Sequence, residues 1–143
     1  MRALIVLGPE SSGTRLLTRI LISGGCYGSA EHVQPFDTEP FGDLDPVVIR
    51  RSIPHNGEWP ALISLLDKCA GREITAVIVN RGSYCTARSQ VLHGYSKNIE
   101  EAYDRIRRAH ELIRKITAAL PYIFVTYSGL VQDPVGTQTE LLR

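Results

Sequence analysis

The chain is expected to fold as an α/β protein, a three-layer α/β/α sandwich with a mostly parallel sheet. Three observations carry that expectation. Four apolar runs of strand length, Ala3–Leu7, Pro46–Ile49, Ile74–Val79 and Tyr122–Thr126, are continuous rather than alternating. That is the pattern of parallel strands covered on both faces. Helical segments separate the runs, and strands alternating with helices build such a sandwich. At 143 residues the chain fits a single domain, 1–143. A domain of that size buries roughly 68–70% of the surface exposed by its unfolded chain.

The elements follow in order. The first strand runs into Gly8-Pro9-Glu10-Ser11-Ser12-Gly13-Thr14-Arg15, and a helix over Thr14–Ser23 stops at Gly24-Gly25, a natural C-cap. Tyr27–Asp45 mixes prolines, glycines and acids without a period. It is expected to be a long surface loop holding at most one short strand, and loops of that length commonly carry function. The second run ends in Arg50-Arg51. A helix over Pro60–Ala70 has proline in its first turn and stops at Gly71. The third run ends in Asn80-Arg81.

The longest helix is expected from about Asn98 to Ala119, with Ile99, Tyr103, Ile106, His110, Ile113 and Ile116 on one stripe. Glu101–Arg105, Asp104–Arg108 and Glu111–Lys115 have the i,i+4 spacing of a solvated, ion-paired face. Pro121 breaks the helix before the last strand. Right-handed crossovers in such a sheet put ligands at the carboxyl ends of the strands.

Composition narrows the function classes. Hydrophobic content of 43% and charged content of 22% are ordinary for a globular domain. A net charge of +1 argues against bulk binding of nucleic acid or a membrane surface. Cys26, Cys69 and Cys85 are too few and too scattered for a disulfide framework or a metal site. They read as free thiols in a reducing compartment. No apolar run has the length of a membrane span, and the N-terminus lacks a signal-peptide layout. A cytoplasmic location is expected.

A buried strand, a glycine-bounded loop and a helix start, in that order, form a cradle for phosphate. Backbone N–H groups converge there, and the helix dipole is positive. Gly8 and Gly13 have the spacing of the P-loop. A nucleoside triphosphatase then places Lys and a hydroxyl residue, which reach the phosphates and magnesium. This chain has Thr14 and Arg15 instead, and no strand ends in a Walker-type aspartate. Metal is therefore not expected at the loop.

The segment resembles the 5′-phosphosulfate loop of the P-loop sulfotransferases, whose bacterial pattern runs Gly-Pro-x-Arg-Ser-Gly-Thr-Ser. Two further segments share the likeness. Arg81 ends the third strand and Ser89 follows eight positions on, as in the family's 3′-phosphate site. Tyr127-Ser128-Gly129-Leu130-Val131-Gln132-Asp133-Pro134 is similar to the family's Tyr-Glu-Asp-Leu-x-x-Asp-Pro. Tyr127, Leu130, Asp133 and Pro134 match; Ser128 and Gly129 do not.

The resemblance covers about a third of the chain. It implies a sulfotransferase-like topology and 3′-phosphoadenosine 5′-phosphosulfate (PAPS) as donor, without metal. By the same likeness Ser11, Ser12, Gly13, Thr14 and Arg15 hold the 5′-phosphosulfate. Arg81 and Ser89 hold the 3′-phosphate, and Tyr127 lies near the adenine.

The family carries Lys or Arg where this chain has Ser11. That cation stabilises charge developing on the leaving phosphate oxygen. Arg15 and Arg51 are candidates to replace it. Arg50 precedes Arg51, and consecutive strand residues face opposite sides, so one of that pair points away. His55 is the candidate general base, with the right unperturbed pKa. His32, beside Glu31, competes for the role; His93 and His110 read as structural. The acceptor is expected to be a small molecule or a glycan. Its site is shallow, or built from Tyr27–Asp45, or shared with a second subunit of a homo-oligomer. Trp59 and Phe41 are candidates to line it, although such aromatics more often lie in the core. Two rival readings stand beside transfer of a sulfuryl group: a magnesium-dependent small-molecule kinase with an atypical loop, and a non-catalytic nucleotide-binding protein.

Overall fold

The computed structural model describes residues 1–31, 41–55, 59, 66, 67 and 69–143. Five strands form one sheet: β1 (Arg2–Pro9), β2 (Tyr27–Gly28), β3 (Val47–Ile53), β4 (Glu73–Asn80) and β5 (Tyr122–Thr126). Their order is β2-β3-β1-β4-β5, and every pairing is parallel. The sheet is thus wholly, not mostly, parallel. The short strand allowed for in the long loop is β2, which pairs at Tyr27↔Val47.

The apolar run of β1 makes it central. Ile5 lies between Ile49 of β3 and Ala76 of β4. Alternation along the strand then sends side chains to two separate cores. Ala3, Ile5 and Leu7 join Val47, Ile49 and Ile78 under Ala109, Ile113 and Ile116. Leu4 and Val6 join Val48, Val77 and Val125 under Leu17, Leu21, Leu130 and Leu141. Burying each such aliphatic side chain contributes about 1.5–3 kcal/mol, so both faces need cover.

Five helices lie among the described residues: α1 (Thr14–Ser23), α2 (Ser83–Leu92), α3 (Ile99–Thr117), α4 (Tyr127–Gln132) and α5 (Pro134–Leu142). The first core packs on α3, the second on α1, α4 and α5. The arrangement is compatible with a three-layer sandwich. No helix among the described residues is long and apolar enough to cross a membrane.

Several expectations need correction. The second strand continues to Ile53, so Arg50 and Arg51 lie inside β3 and not beyond its end. They sit opposite Val6 and Leu7, and each is only 4% exposed. Charge in a strand had suggested a terminus, but here the guanidinium groups are buried with the chain. On α3 the buried positions are Ala102, Ile106, Ala109, Ile113 and Ile116, while Ile99 and Tyr103 are exposed. Ala109 packs against the sheet, whereas Ala102 packs with Ala87 of α2.

None of the three expected i,i+4 pairs is among the ion pairs of the described residues. Arg105 reaches Glu10, Asp104 takes Arg107, and Arg108 lies over the Trp59 ring. Asn98 caps α3 by accepting from the Glu101 N–H at 2.9 Å. Most of the helix expected over Pro60–Ala70 and His32 lie outside the described residues. The cysteines are free thiols, and burial raises the pKa of Cys26 and Cys69.

Candidate functional site

A cleft of about 410 Å³ opens at the carboxyl ends of β1, β3, β4 and β5. Its walls come from the loop and helix start after β1 (Ser11, Gly13, Thr14, Arg15), from β3 and the turn after it (Arg50, Ser52, His55), and from the segment after β4 (Arg81, Ser89). Tyr127, at the start of α4, lines it too. Seven of the eight expected donor-binding residues therefore line one cavity, together with His55; the exception is Ser12.

The loop turns sharply. Ser11 and Gly13 both take the left-handed backbone, with φ of 67° and 106°. The Ser12 N–H donates to the Pro9 carbonyl at 3.0 Å. That N–H is engaged inside the turn. The Ser12 hydroxyl is buried and has no partner among the described residues.

Gly13 precedes α1 without any side-chain cap. The first N–H groups of a helix have no intrahelical acceptor, so those of α1 face the cleft with the positive end of the helix dipole. A Cβ on Gly13 would meet Tyr127 Cδ2 at 2.5 Å. One on Gly8 would meet Ser12 Oγ at 2.4 Å and the Val79 carbonyl at 3.0 Å. Close packing requires both glycines, and the left-handed turn requires Gly13 as well.

Polar groups behind the loop hold it. The Gln90 amide, fully buried, donates to the Glu10 carbonyl at 2.9 Å and accepts from Ser96 Oγ at 3.2 Å. The Glu10 carboxylate meets Arg105 Nη2 at 2.8 Å. Thr14 Oγ1 and Ser52 Oγ lie 3.1 Å apart and join the loop to β3. Arg81 Nη1 donates to the Ser11 carbonyl at 3.1 Å, and its guanidinium sits 4.5 Å from the centre of the Tyr127 ring. Arg81 is thus both a wall of the cleft and a brace on the loop.

The charge of the cleft is lopsided. Among the described residues, Arg15, Arg19, Arg50 and Arg81 line it against a single carboxylate, Glu10, and Arg105 engages that group. Arg19 is bonded to Glu31. Arg50 is in none of the ion pairs among the described residues, and its buried Nε has no hydrogen-bond partner. Burial first, then the Arg15 charge, pushes its pKa below the ordinary guanidinium value.

Strand parity decides between the two arginines. Val48 of β3 packs in the core beneath α1, whereas Ile49 and Ile53 pack in the core beneath α3. Arg50 shares the side of Val48, and Arg51 that of Ile49 and Ile53. Arg51 does not line the cleft, which displaces its expected catalytic role. Arg15 is exposed on the rim. Trp59 and Phe41 pack against the core beneath α3 and do not line the cleft.

His93 and Tyr95 line it unexpectedly, their rings 6.2 Å apart. The signal for His93 was available: it stands four residues after Ser89, on the same helix face. His110 remains outside the cleft, with its pKa lowered by burial and by Arg114.

No family model, curated protein or solved structure matches the chain.

Proposed function

We propose that the chain is a small sulfotransferase-like protein whose cleft binds PAPS and whose reaction transfers a sulfuryl group to a hydroxyl or amine of a small-molecule or glycan acceptor. The observation that carries this reading is the meeting of Arg81, Ser89 and Tyr127 with the uncapped start of α1 in one cavity. These residues are far apart in sequence. The resemblance assigns them to different parts of one nucleotide. The loop follows the central strand of a parallel sheet ordered β2-β3-β1-β4-β5, which we read as a P-loop-like arrangement. The buried, unpartnered Arg50 Nε fits an anionic ligand.

PAPS, when bound, supplies a sulfuryl group attached to a phosphate leaving group. The N–H groups of Gly13, Thr14 and Arg15 hold the 5′ end. Ser52 can donate its proton to Thr14 Oγ1, which frees the Thr14 hydroxyl to donate into the cleft. Arg81 and Ser89 hold the 3′-phosphate, and Tyr127 flanks the adenine. His55 lines the same cavity and takes the proton of the attacking acceptor.

The test is release of 3′-phosphoadenosine 5′-phosphate (PAP) from PAPS in the presence of a metal chelator, with phenols, sugars and amines as acceptors. Metal-independent release is expected, and His55→Ala lowers it by about 10²–10⁴-fold without changing PAP affinity. Turnover of ATP that needs magnesium, and gains from Thr14→Lys, would identify a kinase instead. Binding with no turnover would identify a non-catalytic nucleotide-binding protein.

A further inference from the structure

Arg50 is an unusual residue to find in the interior of a parallel sheet. It is 4% exposed, it lies within β3, and its Nε has no partner among the described residues. An ion removed from water costs several kcal/mol unless a counter-charge and hydrogen bonds replace the lost hydration. Among the described residues the Arg50 charge is opposed by Arg15 and Arg19 and favoured by Glu31 and Tyr95, and the Glu31 carboxylate is itself bonded to Arg19. Arg50 lines the cleft beside Thr14 and Ser52.

We propose that the counter-ion of Arg50 is the ligand itself: a pyrophosphate-like dianion held between the Arg50 guanidinium and the first turn of α1, whose binding completes the electrostatics of the fold. The helix start supplies N–H donors, and the arginine supplies a fixed cation with planar, paired donors. The cation that the sulfotransferase pattern puts on the loop, where this chain has Ser11, is supplied from β3. The inference rests on the proposed function only in identifying that dianion with the 5′-phosphosulfate. The anion site itself stands on Arg50 and α1.

This arrangement gives Arg50 opposite effects on stability and on binding. Without ligand the buried charge is a cost, and an apolar side chain of similar length removes it. With ligand the same charge is the main source of affinity. The probe is inorganic pyrophosphate, followed by thermal unfolding and calorimetry. Wild-type protein is expected to gain about 5 °C or more in Tm at a hundredfold excess of pyrophosphate over its Kd. Arg50→Met is expected to raise the ligand-free Tm by about 3 °C or more and to weaken pyrophosphate by about 10–150-fold.

Arg50→Lys keeps the charge and loses the paired donors. It is expected to keep the low ligand-free Tm and to bind between the other two, so it serves if Arg50→Met does not fold. A lower ligand-free Tm in Arg50→Met together with unchanged pyrophosphate affinity overturns the proposal. Unchanged affinity in a folded Arg50→Lys, with no pyrophosphate effect on wild-type Tm, also overturns it. If pyrophosphate acts through Arg50 but PAP gains nothing over AMP, the anion site holds and the donor assignment fails. If PAP is preferred while Arg50 substitutions leave pyrophosphate unaffected, the reverse follows.

Discussion

Arg81→Ala is expected to weaken PAP by about 1.5–3 kcal/mol, the range for a hydrogen bond to a charged group. AMP, which differs from PAP only in lacking the 3′-phosphate, is expected to lose less, about 0.5–1.5 kcal/mol. The smaller, shared loss comes from the second job of Arg81. It holds the Ser11 carbonyl at 3.1 Å and stacks on Tyr127, so its removal loosens the loop for any ligand. The difference between the two losses reports the 3′-phosphate contact alone. Calorimetry of both nucleotides against both proteins measures it. Equal losses mean that Arg81 is only a brace. Ser89→Ala, on the same wall of the cleft, is the natural companion variant.

Gly13→Ala is expected to destabilise the protein by roughly 2–4 kcal/mol, from left-handed backbone strain and from overpacking. At φ 106° a Cβ is disfavoured by itself, and this one would sit 2.5 Å from Tyr127 Cδ2. Relief of the contact requires Tyr127 to move, and Tyr127 carries Arg81 on its ring. Nucleotide binding should therefore fall with stability. In a Tyr127→Ala background the contact is gone, and the cost of Gly13→Ala should shrink to the backbone share, about 1–2 kcal/mol. Urea unfolding of the four proteins in the cycle reads both quantities. A cost that is the same in both backgrounds would mean that the glycine serves the turn and not the packing.

Much of the architecture is legible because it follows from the period of apolar residues. Continuous short runs such as Ala3–Leu7, bounded by turn residues, fit strands with two covered faces, and Gly13 marks where the backbone must turn. The site was legible where a residue lies at a strand end or in the loop itself, as with Gly13, Thr14, Arg81 and Tyr127. It was not legible where the question was which way a side chain points. Arg50 and Arg51 are adjacent and identical in type. The choice between them depends on how far β3 extends and how it registers with β1, at Val6↔Arg50 and Leu7↔Arg51. A charged pair reads as the end of a strand; a cleft-lining arginine inside one is the exception that composition hides. The ion pairs of α3 were misassigned for a related reason. Arg105 is drawn to Glu10, a buried carboxylate 95 residues away, because a desolvated charge needs a partner more than an exposed one does.

Calorimetry of the wild-type protein with PAP, AMP and ATP–magnesium tests the central claim most directly: that one cleft holds both phosphate-bearing ends of a single adenosine. PAP is expected to bind about tenfold or more tightly than AMP, which lacks only the 3′-phosphate, with no effect of a chelator. Equal affinity for PAP and AMP, or a preference for ATP that vanishes without magnesium, would contradict it.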